Sequence, residues 1–354
     1  MLLLVVATLL ATVLLAPAAA QEIGCGSQIT QDTTLRHDIG PCENYGLIVT
    51  ADDVTLDLNG YTIFGTEDVG DGAGIHVLDV IGVKVMNGTV RDFDGGVVIQ
   101  GGGNHHVTGI VARDNIGQSE GHPPAPGTLY GDGIAVLGSS DNRIAHNVTV
   151  NNGPFAGIGL YARPDSDHPS FTAAPAARNA VMHNVVEDNR FCRVNRVTGA
   201  RFCDNIGVRL EPGVGPDNAV MSNVIRGNGL DGLSLFADTD RNAVMRNLVE
   251  NNGFWGQVPG DGIRVFGSRN AIHHNQVVDN RAAGISVGRR TGFPLGTLPV
   301  HGPTGNPRGV LNDLVRNTGS GNGMFDFWDG NPGCDQNTWR RNTGTGNQDC
   351  VTRR

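Results

Sequence analysis

Asp132, Asp231 and Asp261 each stand directly before a Gly that opens a short run of alternating apolar and polar residues, and Asp94 stands near the equivalent place. Carboxylates held one strand spacing apart raise one another's proton affinity, or share a cation such as calcium. Such a pair suits acid–base cleavage of a glycosidic bond, or lyase chemistry on a uronic acid. Asp-Gly is also ordinary turn chemistry. The polar positions of the same runs supply Arg209 and Arg264, so the candidate catalytic set is Asp231, Asp261, Arg264 and Arg209. Tyr161, Phe236, Phe266 and Trp328 fall beside them as candidate substrate-binding residues. Flat rings suit flat sugar faces, and the same rings can instead pack over an element's edge. Beyond calcium no cofactor is indicated, and the metal requirement is left open.

A second line of polar residues comprises His146, His183, Ser222, Arg246, His274, Arg316 and Arg341, each directly before an Asn of a repeat. It could attract an anionic polymer, or form the solvated side of a turn. His105-His106 and His273-His274 are adjacent pairs; neighbours in an extended chain face opposite ways and share a metal poorly. The chain carries no nucleotide loop, no G-x-S-x-G elbow and no H-E-x-x-H helix.

These residues are positioned by an internal repeat. Seven segments follow Asn-x4-Asn-x4-Asn, among them Asn179/Asn184/Asn189, Asn218/Asn223/Asn228 and Asn242/Asn247/Asn252. Apolar residues such as Val181, Val186, Val220 and Ile225 lie two places after the first and second Asn. Each unit reads as a short strand, a corner at an Asn, and a second short strand. A third strand follows with the signature Gly-apolar-x-apolar, as in Gly232-Leu233-Ser234-Leu235. Three degenerate coils, around 54–63, 82–99 and 104–136, precede the regular ones. Stacked coils would pair every strand with its copies about 4.8 Å away, put Val, Ile and Leu in inward files, and let corner amides hydrogen-bond along the stack. Asn also tolerates left-handed backbone at a corner. The expected fold is all-β, a single-stranded parallel β-helix solenoid of about ten coils.

The alternation assigns one outward row of the third strand to His76, Val98, Ala135, Gly159, Arg209, Ser234, Arg264 and Ser286. The next row is Leu78, Gln100, Leu137, Tyr161, Glu211, Phe236, Phe266 and Gly288, with Asp326 and Trp328 in a shifted last strand. Insertions at 116–130, 190–203 and 253–260 precede a third strand, and those at 163–177 and 288–308 follow one. Loops of this kind wall one face of a solenoid. The outer face of the third strand is therefore the candidate groove.

The opening Cys25-Gly26 with Leu58-Asn59-Gly60-Tyr61-Thr62-Ile63, the Asn repeats and the closing Cys334-Asp335-Gln336-Asn337-Thr338-Trp339 resemble right-handed parallel β-helix repeat proteins. That broad group includes NosD-type and pectate-lyase-like domains. The resemblance spans nearly the whole chain after residue 20 and implies a right-handed coil. It does not carry an activity, since the group holds lyases, hydrolases, epimerases and surface proteins. The Asp triad with His-Gly and Arg-x-Lys of hydrolases of this fold is absent, as is a clear calcium-Asp and catalytic-Arg lyase set.

Composition bounds the class. The 354 residues are 39% hydrophobic but only 5% aromatic and 17% charged, with 52 glycines. A net charge of −9 gives no basic face for nucleic acid. An apolar run over 2–15 followed by Pro17-Ala18-Ala19-Ala20 reads as a signal peptide, 1–20, with no later membrane span. Residues 21–53 read as an N-terminal cap and 54–354 as the β-helix, its inserted loops and a stapled C-terminal coil. The six cysteines fit an oxidising compartment. They fall into local groups, Cys25 with Cys42, Cys192 with Cys203 and Cys334 with Cys350. A disulfide needs Cα atoms within about 7 Å, which favours pairing inside each group over links along a solenoid. The expected protein is secreted, extracellular or periplasmic, and binds or processes an extracellular polysaccharide or cell-surface glycan, as a lyase or hydrolase if it is an enzyme. The alternative is a non-catalytic adhesion solenoid.

Overall fold

The computed structural model describes residues 22–66, 72–117, 131–162, 175–194, 201–254, 259–288, 309–334 and 336–352. The segment 1–20 expected to be a signal peptide lies outside them, as does most of the inserted loops. The described chain winds as a parallel β-helix. Third strands form an 11-stranded parallel sheet running from Ser27–Ile29 to Phe327–Asp329. First and second strands build two further parallel ladders, which join where Lys84–Arg91 and His106–Arg113 run through the corner unbroken. Laddering begins inside the segment 21–53, where Ser27–Ile29 pairs in parallel with Leu47–Val49. Its strands lack the Asn triplet, which is why the sequence pattern did not reveal them.

The core is a set of files. Val181, Val220, Val244 and Ile272 are in register along the first sheet, Val186, Ile225, Val249 and Val277 along the second, and Val208, Leu233, Ile263 and Ile285 along the third. All are buried in one continuous cluster. Opening the third strand with Gly is a steric necessity. A Cβ at Gly232 would lie 2.4 Å from Val249 Cγ1 and 2.7 Å from Asn252 Nδ2.

The Asn triplets form three buried amide ladders at the corners. Along the middle one, each Nδ2 donates to the next Oδ1, at 3.0 Å from Asn184 to Asn223 and again from Asn223 to Asn247. The left-handed backbone is not on these residues, as expected from sequence, but on the residue before each: His183 at φ 55°, Ser222 at 56° and Arg246 at 56°. The ladder Asn must point inward to meet its copies, so the preceding residue makes the turn and faces solvent.

All three local disulfides are present: Cys25–Cys42, Cys192–Cys203 and Cys334–Cys350. They fit an oxidising compartment. The last coil is closed by Trp339, whose Nε1 donates to Asp329 Oδ2 at 2.9 Å and whose ring lies 5.9 Å from Phe327. Among the described residues no helix is long and apolar enough to cross a membrane.

Candidate functional site

The pairing register brings the predicted residues onto one face. Gly159, Arg209, Ser234, Arg264 and Ser286 are consecutive in the third sheet, and all point away from the apolar files. Asp231 and Asp261 lie in adjacent coils, the Asp261 N–H donating to Asp231 Oδ1 at 2.7 Å. The face is not an open groove. Arg209 is 0% exposed, Arg264 4%, Asp231 1% and Asp261 0%. Alternation reports which side of a sheet a residue takes, not what lies over that side.

Arg264 bridges the two carboxylates. Its Nε donates to Asp261 Oδ2 at 3.0 Å, and its Nη2 lies 3.0 Å from Asp231 Oδ1. Ser234 Oγ donates to Asp231 Oδ2 and Ser286 Oγ to Asp261 Oδ2, both at 2.7 Å, while the Ala283 N–H reaches Asp261 Oδ1 at 2.9 Å. Burial raises the Asp231 carboxyl and the Asp261 charge adds to the rise, against the pull of Arg264. A calcium ion at this pair would have to displace Arg264, which already supplies the positive charge. Among the described residues no group of three or more His, Cys, Asp or Glu is arranged to hold a metal.

Arg209 is held by Asp204 and Glu211. Its guanidinium carbon lies 4.7 Å from the Phe236 ring centroid and 5.1 Å from that of Phe155. Burial opposes its charge, but Glu211 and Asp204 hold its pKa raised. One coil earlier the Tyr161 hydroxyl faces both Asp132 oxygens, at 2.9 and 3.0 Å. Burial pushes the Asp132 carboxyl up to about 7, although the Tyr161 hydrogen bond works against it. This places a carboxyl that exchanges a proton near neutral pH against a phenol, an acid–base arrangement.

The aromatic residues do not make one stripe. Tyr161 folds back over Gly159, where an added Cβ would lie 2.3 Å from Tyr161 Cε2, and it is 7% exposed. Phe236 packs with Ile206 and Leu230 at 9% exposure. Phe266 is half-buried, 5.9 Å from the Arg264 guanidinium. Trp328 pairs with Ser286 and therefore stands in the row of Arg264, not that of Phe266. Asp326 takes no part: it caps the last coil, accepting from Thr345 and Asn322. Sequence reasoning missed Asp204 and Phe155, which precede the strands and carry no periodic mark. The adjacent imidazole pairs differ: the His273 and His274 rings meet edge-on with centroids 6.4 Å apart, whereas His105 and His106 part. His105 is buried, accepts from the Val83 N–H at 3.2 Å and is lowered by burial to about 4, while His106 is exposed.

No curated protein matches the sequence. Several solved structures resemble the fold. A point mutant of the periplasmic alginate epimerase AlgG is 14% identical, with 86% of this chain and 76% of that one aligned at a TM-score of 0.50. The Dettilon tailspike protein is 14% identical, with 90% and 60% aligned at 0.48. An alginate lyase from Paenibacillus sp. is 13% identical, with 92% and 99% aligned at 0.38. Identities this low speak to fold alone. The profile of the family described as "Right handed beta helix region" matches residues 33–295, and with the observed coil it shows that the chain belongs to the right-handed β-helix family.

Proposed function

We propose that this protein is exported and binds and processes an extracellular polysaccharide on the outer face of its third sheet. The carrying observation is the file of buried ionisable groups there: Asp132 with Tyr161, Arg209 with Asp204 and Glu211, and Arg264 with Asp231 and Asp261. Buried ion pairs contribute little net stability, so their gathering on one face favours a functional role. Within the file, Asp132 and Tyr161 carry the proton transfer. The phenol oxygen takes a proton from the sugar as its own passes to Asp132, and Arg209 offsets the charge that develops. The likeness in fold to an alginate epimerase supports uronic-acid polymers as the first substrates to try. Tyr161 is nearly closed off, so a polymer reaches it only when the groups over it give way.

The test is a screen of purified protein against alginate, pectin and glycosaminoglycans, read by unsaturated product and by NMR for epimerisation, beside a glycan array. Activity lost in Tyr161→Phe and Asp132→Asn, with the fold intact, supports the reading. One observation favours the alternative of a non-catalytic adhesion solenoid: Arg209 and Arg264 spend their charge on internal carboxylates. Silence in both screen and array would decide for that alternative.

A further inference from the structure

The corner between the first and second sheets carries a line of arginines and histidines that the third-sheet face does not use. Its left-handed positions in seven successive coils are His146, His183, Ser222, Arg246, His274, Arg316 and Arg341, with φ between 55° and 59°. Left-handed backbone favours Gly, Asn and Asp, and a side chain outside that set costs roughly 1 kcal/mol. The corner after the second sheet obeys that preference, with Asp114, Asn151, Asp188, Gly227, Asn251, Asp279 and Gly321 in the same conformation. At the corner between the sheets Ser222, Arg246, Arg316 and Arg341 lie outside that set, as Arg178, Arg241 and Arg269 do at the remaining corner, while His is itself enriched in this conformation; six of the seven residues of the line are His or Arg.

The line is accessible. All six His and Arg side chains are exposed, and only Ser222 is partly covered. The surface ion pairs Arg178–Asp141, Arg226–Glu187 and Arg340–Asp313 lie off it, and among the described residues none engages a member of the line. The flanking rows are uncharged over the middle coils: Met182, Met221 and Met245 on one side, Val185, Val224 and Leu248 on the other. Side chains in neighbouring coils align, since the His146 and His183 rings stack with centroids 5.1 Å apart and planes within 8°. On a protein of net charge −9, an acid-free line of arginines and histidines at strand spacing is a segregated feature.

We infer that this corner is a docking line for a linear polyuronate lying parallel to the solenoid axis. The polymer offers one carboxylate per sugar, a repeat comparable with the strand spacing of about 4.8 Å, and its apolar sugar faces would meet the flanking Met and Val rows. Duplex DNA, whose strands each carry a phosphate about every 3.4 Å of axis, falls out of register within a few coils. The inference shares its glycan class with the proposed function but rests on a different surface.

The experiment measures binding of the exported protein to fluorescently labelled oligomannuronate, at low and high salt. Removing charge in Arg246→Gln/Arg316→Gln/Arg341→Gln should weaken binding about tenfold, as exposed ion pairs each contribute a factor of roughly two to five. Ser222→Arg, which fills the gap, should tighten it severalfold. Arg36→Gln/Lys84→Gln/Arg113→Gln removes the same charge elsewhere and should change it less than twofold. Equal denaturation midpoints for all variants keep the comparison free of folding effects. The inference is overturned if wild type does not bind, if both triple variants weaken binding alike, or if duplex DNA of equal charge competes as well. Binding lost only in Tyr161 and Asp132 variants would overturn it while leaving the proposed function standing.

Discussion

Replacing Asn223 by Ala removes one amide that serves four partners. Its Oδ1 accepts from the Asn184 backbone N–H at 2.9 Å and from Asn184 Nδ2 at 3.0 Å. Its Nδ2 donates to the Val181 carbonyl at 2.9 Å and to Asn247 Oδ1 at 3.0 Å. Two of these partners keep another bond: Asn184 Nδ2 still donates to the Ile144 carbonyl, and Asn247 Oδ1 still accepts from the residue 223 N–H. The Val181 carbonyl stays in the parallel ladder that pairs Val181 with Val220, so the Asn184 N–H is the group left without a partner inside the wall of the solenoid. At about 1–3 kcal/mol for a buried group left unmet, the expected loss is about 1–3 kcal/mol. Ser222→Ala, one residue away on the outside of the same turn, should cost less than about 0.5 kcal/mol. Urea midpoints compare the two, and hydrogen exchange localises the effect, since the Asn184 amide should lose protection before amides of distant coils. Coincident midpoints, or an Asn184 amide protected as in wild type, would refute the ladder as the source of stability.

Three other outcomes follow from the charges and turns. Asp132 has a folded pKa of about 7, raised above its unfolded value near 3.9, so its contribution to stability is full below about pH 3.9 and is lost as pH rises towards 7. Stability measured across that window should fall more steeply in wild type than in Asp132→Asn, and parallel curves would contradict the raised value. Arg264→Met leaves Asp231 and Asp261 facing each other without a cation, at a cost of about 3–5 kcal/mol near neutral pH that shrinks in acid as the pair takes up a proton; a pH-independent loss in calorimetry would show that the arginine acts by packing. Leu311 holds φ 61° while 44% exposed, so Leu311→Asn should stabilise by about 0.5–1 kcal/mol, and an unchanged midpoint would count against strain at that turn.

Sequence alone determined the coil. An Asn every five residues and a β-branched residue two places on are local signals. Stacking copies them into every coil, so one repeat read correctly assigns Val181, Val220 and Val244 to a single file. The disulfides were legible for the same reason, their partners being close in sequence as well as in space. The first coil at 27–49 was not, because its strands carry no Asn triplet. The adjacency of Asp231 and Asp261 was likewise legible, as was the outward direction of Arg209 and Arg264. Only the tertiary structure decided what those residues do there. Whether a carboxylate faces solvent, an arginine or another carboxylate depends on what covers the sheet and on residues such as Asp204 and Phe155 that no period marks. The left-handed turn shows the same division. The repeat located each corner, but the inward demand of the amide ladder moved the strained backbone one residue earlier, onto the histidines and arginines that line the outside. Periodicity fixes register, because identical coils must stack; the chemistry of a face arises where coils differ, and that is settled by packing.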